Sequence, residues 1–199
     1  MDYIKILVEE IHSTCVETIG MDGHPQTRII DMMYYDKEGV YFLTAKGKAF
    51  YEQLMEQKYI ALSVTVNKKG ISLRGRVKNI GEKNLDLLFD HNPYMKEIYP
   101  NNTKEALEVF CLYDAKGEYF DISIPSKIIR ESIVIGNEEV VQSGYYVSNQ
   151  CDGCKICESV CPQKCIDVSI IPVVINQNRC LHCGQCAKYC PMRCIEKRG

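Results

Sequence analysis

Ten of the 12 cysteines crowd between Cys151 and Cys194, and they form two matching sets. Cys151, Cys154, Cys157, Cys161-Pro162 and Cys165-Ile166 recur 29 positions later as Cys180, Cys183, Cys186, Cys190-Pro191 and Cys194-Ile195. Thiolates are soft donors, and three of them at successive intervals of three can wrap a loop around one metal centre. Zinc and disulfides are the competing uses. Tetrahedral zinc, however, commonly takes two separated pairs, and disulfides belong to oxidising compartments. Cys15 and Cys111 have no such neighbours and read as core thiols.

A second candidate lies in the first half of the chain. Tyr41-Phe42-Leu43-Thr44-Ala45-Lys46-Gly47-Lys48 reads as the end of a strand and the start of a helix. It offers a hydroxyl, two cationic heads and first-turn amides, a combination that suits a phosphate. Neither G-x-G-x-x-G nor G-x-x-x-x-G-K-[ST] occurs, so the patterns indicate no Rossmann dinucleotide site and no P-loop. His12, His24, His91 and His182 form no haem-like set, and no nucleophile with an attendant base stands out.

The elements that must position these residues are mostly short strands. Ile4, Leu7, Val8 and Ile11 share the face of an opening helix. Strands are expected over Thr14–Ile19, Gln26–Tyr35, Val40–Thr44, Tyr59–Val66 and Ile71–Ile80, with a helix over Lys46–Gln57. A helical stretch from Glu82 to Tyr99 is broken by Pro93, and two more strands, Ala106–Tyr113 and Glu118–Ile124, are joined by a turn at Asp114–Gly117. Pro125–Gly144 reads as a connector. Antiparallel strands in this number suggest a closed barrel, which removes exposed edges.

The charge balance narrows the partners. In 199 residues, 24 Lys and Arg against 26 Asp and Glu leave a net charge of −2 and no polybasic footprint, so nucleic acid is not an expected partner. The opening residues mix Lys5, Glu9 and Glu10 among apolar side chains, and no stretch is apolar enough to span a bilayer. No membrane association and a cytoplasmic location are therefore expected.

Each cysteine set is the C-x2-C-x2-C-x3-C-P run of bacterial ferredoxins, so residues 145–199 resemble a two-cluster ferredoxin. The resemblance implies two 4Fe-4S clusters, with the fourth cysteine of each run crossing to the other cube. One cluster would take Cys151, Cys154, Cys157 and Cys190, and the other Cys161, Cys180, Cys183 and Cys186. Cys165 and Cys194 are expected on short helices as buried spectators.

Pro25-Gln26-Thr27-Arg28-Ile29-Ile30, together with the run ending at Lys48, resembles the split-barrel flavoproteins related to pyridoxamine 5'-phosphate oxidase. That resemblance implies Arg28, Ile29, Ile30 and Asp31 against a flavin, Leu43 and Thr44 beside them, and Lys46 and Lys48 as cationic contacts to the FMN phosphate. It also implies a homodimer in which both chains build each site. The vitamin oxidases carry a lysine in the stretch where this chain has Met32-Met33-Tyr34, so their activity is not carried over.

The expected fold is thus mostly β plus α: an antiparallel split β-barrel that binds FMN, over residues 1–130, then a linker over 131–144 and a small α+β ferredoxin-like domain over 145–199. The expected function is a flavo-iron-sulfur oxidoreductase passing electrons between FMN and two 4Fe-4S clusters, with substrate and redox partner open. The alternative is an electron carrier whose barrel only dimerises or binds haem or a deazaflavin.

Overall fold

The computed structural model describes residues 2–101, 103–124, 127–139 and 143–199. The chain opens with helix α1 (Tyr3–Lys5), which continues as a π-helix over Ile6–Ile11. Strands β1 (Ser13–Ile19), β2 (Pro25–Asp31), β3 (Tyr34–Asp36) and β4 (Gly39–Ala45) follow, then helix α2 (Ala49–Gln57). Strands β5 (Tyr59–Val66) and β6 (Lys69–Asn79) precede helices α3 (Leu85–His91) and α4 (Met95–Ile98), and β7 (Leu107–Ile124) and β8 (Lys127–Ile135) come next. The C-terminal part contains β9 (Gly144–Val147), α5 (Ile156–Ser159), β10 (Ile166–Asp167), β11 (Val174–Ile175), α6 (Gln185–Lys188) and β12 (Ile195–Arg198).

The sheet runs β2-β1-β5-β6-β7-β4-β3, with β8 paired to β7. Its first strand touches β4 near the other end of that order, so the sheet curls toward a barrel. Alternation explains the curl's inner face. Along β6 the odd positions Ile71, Leu73 and Val77 are buried, while Ser72, Arg74 and Arg76 face outward. Phe42 of β4 stacks on Phe110 of β7 at 5.8 Å and on Phe50 of α2 at 6.2 Å, both within the range of favourable aromatic pairs. Beside this core, Met33, Tyr41, Leu88, Phe89, Leu107 and Val109 form a second buried cluster under α3.

The expected strand Gln26–Tyr35 is interrupted. Met32 and Met33 are both buried, which a half-exposed strand with alternating faces does not allow at consecutive positions. The chain leaves β1 there and re-pairs with β4, through Met33 N–H to the Tyr41 carbonyl at 2.8 Å.

The expected turn at Asp114–Gly117 is also absent, because β7 runs through it. The polar Asp-Ala-Lys-Gly sequence resembles a turn, but its glycine serves a close backbone approach instead. A Cβ on Gly117 would lie 1.8 Å from the Ser72 carbonyl oxygen, and one on Gly75 would lie 2.3 Å from that of Asp114. Gly117→Ala is therefore expected to destabilise the barrel by about 1–3 kcal/mol, the usual cost of overpacking, measured as a lowered urea midpoint at unchanged m-value.

The expected connector Pro125–Gly144 contains β8, although residues 125, 126 and 140–142 of that span lie outside the described residues. Ile128, Ile133 and Ile135 bury their side chains, so this stretch of branched aliphatics behaves as a strand. Gly136 then turns the chain at φ 71°, and the Asn137 amide donates to Asp114 Oδ1 at 2.9 Å.

The chain divides into two compact units. The first comprises residues 1–66, 70–118 and 132–139, and the second 67–69, 119–131 and 140–199. In the second unit, β9 pairs with β12 and β10 with β11, and a buried core joins Ile166, Val173, Ile175 and Ile195 to Cys157, Cys161, Cys165, Cys180, Cys186 and Cys194. Four aliphatic side chains are a thin core for such a unit. Thiols fill most of the rest. Among the described residues, no helix is long and apolar enough to cross a membrane.

Candidate functional site

In the first unit the candidate residues gather around the turn between β4 and α2. Lys46 and Gly47 lie in the turn itself, and Lys48 is the extended residue preceding the helix, with φ −92° and ψ 141°. Glycine at position 47 disfavours an earlier helix start, so α2 begins three residues later than the expected Lys46. The two lysines flank the helix start rather than sit inside its first turn. The Tyr51 amide already donates to the Lys48 carbonyl at 2.9 Å, so of the first turn it is the Ala49 and Phe50 amides that lie at the positive end of the helix dipole.

Thr44 lies immediately upstream. It is 3% exposed, and its Oγ1 is buried without a hydrogen-bond partner among the described residues. A buried hydroxyl is costly to leave unpaired, so an acceptor or donor belongs beside it. A phosphate group suits this position, since it accepts from hydroxyls, amides and ammonium groups alike.

The two lysines are not equivalent. Lys46 Nζ lies 3.4 Å from Glu108 Oε1. Hydrogen bonds from Asn79 and Tyr51 hold the Glu108 carboxyl below the usual carboxylate range, so it remains an anion that competes for Lys46. Lys48 is exposed, and among the described residues no carboxylate pairs with it. It is the better placed of the two to meet a phosphate.

Arg28 on β2 donates from Nη1 to Thr18 Oγ1 at 2.5 Å and from Nη2 to Gln53 Oε1 at 3.1 Å. Its guanidinium lies 4.4 Å from the Phe50 ring centroid. Arg28 therefore ties β1, β2 and α2 together at the same helix. Ile29 is 68% exposed, Ile30 and Asp31 are half-buried, and Leu43 is half-buried on the strand leading to Thr44.

Asp31 has partners that the sequence did not reveal. Its carboxylate accepts from Ser13 Oγ at 2.5 Å and from the Tyr94 hydroxyl at 2.6 Å, and His12 Nε2 lies 3.5 Å away. Burial, then the hydrogen bond to Asp31, pushes the Tyr94 phenol well above its ordinary range. His12 and Tyr94 are 82 residues apart, and the one local signal for this cluster is the positive φ of 68° that turns His12 back toward β2. Cys111 is buried as expected and its thiol is pushed up to about 11 by that burial, whereas Cys15 is only half-buried.

In the second unit, Cys161, Cys180, Cys183 and Cys186 line one pocket, together with Cys165 and Ile175. Cys151 and Cys154 are near enough to Cys157 to act on it electrostatically. Among the described residues no three metal-binding side chains converge on a single ion. The thiols instead ring a space.

Cys165 and Cys194 occupy extended chain before β10 and β12, not short helices, because each leads directly into strand pairing. Their places are matched. Cys165 Sγ lies 3.6 Å from Cys161 Sγ and is also influenced by Cys180, while Cys194 Sγ lies 3.4 Å from Cys190 Sγ and is also influenced by Cys151. Burial pushes the Cys157 thiol up and that of Cys186 to about 11. Thiolates packed this way are stabilised by a metal cation beside them, and coordination removes the thiol proton outright. The donor set fits an iron-sulfur cluster.

Comparison with known proteins finds relatives for both halves of the chain. The family model "Pyridoxamine 5'-phosphate oxidase" matches residues 2–116, and the model "4Fe-4S binding domain" matches residues 173–196. A pyridoxine/pyridoxamine 5'-phosphate oxidase of Flavobacterium psychrophilum is 30% identical over 92 residues, covering 43% of this chain. The matched stretch spans 41% of that relative's length. Among solved structures, a NimC/NimA family protein of Clostridium acetobutylicum superposes with a TM-score of 0.57 at 16% identity, covering 68% of this chain and 93% of that one. A protein of the same organism related to general stress protein 26 gives 0.50 at 18% identity, covering 66% and 96%. The split-barrel fold is thereby established, and the two family matches, a flavin-binding type of barrel and a 4Fe-4S domain, support a redox role. With its family model covering more than half of its residues, the chain belongs to the pyridoxamine 5'-phosphate oxidase family and carries a 4Fe-4S binding domain behind the barrel.

Proposed function

We propose that this protein is a flavo-iron-sulfur oxidoreductase that binds FMN in the barrel and two 4Fe-4S clusters in the cysteine unit, and passes electrons between them. One observation carries the reading: a barrel with an unpaired buried hydroxyl at a phosphate-type helix start is encoded in one chain with two complete ferredoxin cysteine runs. FMN takes up two electrons together and releases them singly, which is the exchange that one-electron clusters require.

The chain's own residues have definite tasks. Thr44 and Lys48, with the first-turn amides of α2, would hold the phosphate. Arg28 would fix the mutual position of β2 and α2, and the backbone from Arg28 to Asp31 would border the ring system. Cys151, Cys154, Cys157 and Cys190 would hold one cluster, and Cys161, Cys180, Cys183 and Cys186 the other. The exposed Ile19, Met21 and Ile29 around the β1–β2 hairpin favour a homodimer formed through the barrel.

The test is anaerobic purification followed by optical and electron-spin spectra during stepwise reduction. About eight irons per chain and flavin bleaching linked to cluster reduction are expected. A flavin-free protein with full iron would favour the plain electron carrier and overturn the proposal. Lys48→Ala is expected to weaken FMN binding about tenfold, ~1.4 kcal/mol, in a flavin fluorescence titration, with iron content unchanged.

A further inference from the structure

The two cysteine runs match in spacing but not in charge. The loop from Cys151 to Cys161 contains Asp152, Lys155 and Glu158, a net charge of −1, whereas the loop from Cys180 to Cys190 contains Lys188 alone, a net of +1. Arg179 precedes the second loop where Gln150 precedes the first. Lys164 and Arg193 occupy equivalent positions and cancel, as do Asp167 and Glu196. Lys197 and Arg198 have no counterparts, but they are exposed at the end of β12, where solvent screens them.

The fold adds to this difference. Arg130, from β8, donates from Nη1 to the Cys180 carbonyl at 3.2 Å, and the same nitrogen lies 3.0 Å from His182 Nδ1. The His182 amide in turn donates to Cys180 Sγ at 3.3 Å. In the first loop, Asp152 and Gly153 stand where Leu181 and His182 stand in the second, and the Asp152 carboxylate accepts the Cys154 amide at 3.1 Å. N–H···S hydrogen bonds reach thiols of both sets, and the Asp152 carboxylate is exposed, so what sets the second loop apart is the Arg130 guanidinium tied to the Cys180 carbonyl and to His182.

Reduction adds negative charge to a cluster, so nearby cations and hydrogen bonds to sulfur favour the reduced form, and carboxylates oppose it. We propose that Arg130, acting through His182 and the Cys180 backbone, makes the cluster held by Cys161, Cys180, Cys183 and Cys186 the more readily reduced of the two. Arg130 is then a positioning residue contributed from outside the ferredoxin-like segment, and the unequal pair gives electrons a preferred resting place. This rests on the two-cluster reading above.

The experiment is an anaerobic potentiometric titration of the holoprotein, followed by electron-spin resonance and accompanied by iron analysis. Two one-electron waves are expected. Arg130→Gln should raise the oxidised-to-reduced ratio of the higher wave roughly tenfold at fixed potential, equivalent to ~59 mV, and leave the lower wave in place. Asp152→Asn should move the lower wave upward alone, and Arg130→Lys should shift the higher wave less than Arg130→Gln. A single wave in the unaltered protein overturns the proposal, and so does Arg130→Gln with full iron and both waves unmoved. If Arg130→Gln loses iron, His182→Gln and Asp152→Asn decide by the same criterion. An unaltered protein with about four irons would instead overturn the two-cluster reading.

Discussion

Stripping iron from the holoprotein with a chelator under anaerobic, reducing conditions is expected to unfold residues 144–199 while leaving β1 to β6 folded. Among the described residues from 144 to 199, the buried core joins four aliphatic side chains to six cysteines, and the paired strands there are two to four residues long. Segments this small seldom fold without metals or disulfides, and the 12 cysteines are free. Cluster binding is therefore folding free energy for this unit. The barrel has its own core around Phe42, Phe110, Leu54 and Ile60, which contains no cluster ligand. Amide hydrogen exchange separates the two regions directly. Protection in β1, β2, β5 and β6 should survive iron removal, and protection in β9 to β12 should vanish. Point substitutions grade the same effect. Cys180→Ala should cut iron from about eight to about four per chain, whereas Cys165→Ala should retain about eight. A Cys165→Ala protein that lost a cluster would show that the thiol set is wrongly divided.

Arg28→Ala is expected to lose both stability and flavin. The guanidinium supplies hydrogen bonds to Thr18 and Gln53, and Thr18 Oγ1 also donates to Gln53 Oε1 at 2.6 Å. Gln53 continues the network to Gln26 at 2.8 Å. Thr18 and Gln53 are each 5% exposed, so water does not readily replace the lost donors. Leaving such groups short of a donor costs about 1–3 kcal/mol, and removing the cation from the face of Phe50 adds about 0.5–1 kcal/mol. The expected loss is thus on the order of 2–4 kcal/mol in chemical denaturation of the barrel. Because α2 is anchored to β2 through this side chain, flavin content should fall as well. Arg28→Lys keeps the charge but not the planar fork that reaches Thr18 and Gln53 together, so it should recover only part of the stability. Unchanged melting and full flavin in Arg28→Ala would show that the network serves neither purpose.

Much of the barrel was legible because its strands alternate. Ile71, Leu73 and Val77 against Ser72, Arg74 and Arg76 define β6 without reference to the rest of the chain. Gly117 and Met32-Met33 misled the reading because their environment is set by distant partners. A turn-like glycine proved to be the place where one backbone meets the Ser72 carbonyl, and two methionines that could extend a strand proved to be buried together where pairing changes from β1 to β4. The strand β8 was hidden by the Gly136-Asn137 and Ser143-Gly144 turn signals that follow it, which make the whole of Pro125–Gly144 resemble a connector.

The candidate sites divide along the same line. The interval between cysteines is a local property of the chain, and a loop with thiols three residues apart is written directly in residues 151–161 and 180–190. The Thr44-to-Lys48 run is local in the same sense, since a strand end and a helix start can be read from neighbouring residues. Long-range folding decided the rest, because contacts between residues far apart leave no period in a sequence. It paired Lys46 with Glu108, gathered Asp31, His12 and Tyr94 into one cluster, set Cys165 and Cys194 against two thiols each, and carried Arg130 to Cys180. Spacing selected the kind of chemistry, and packing determined which charges surround it.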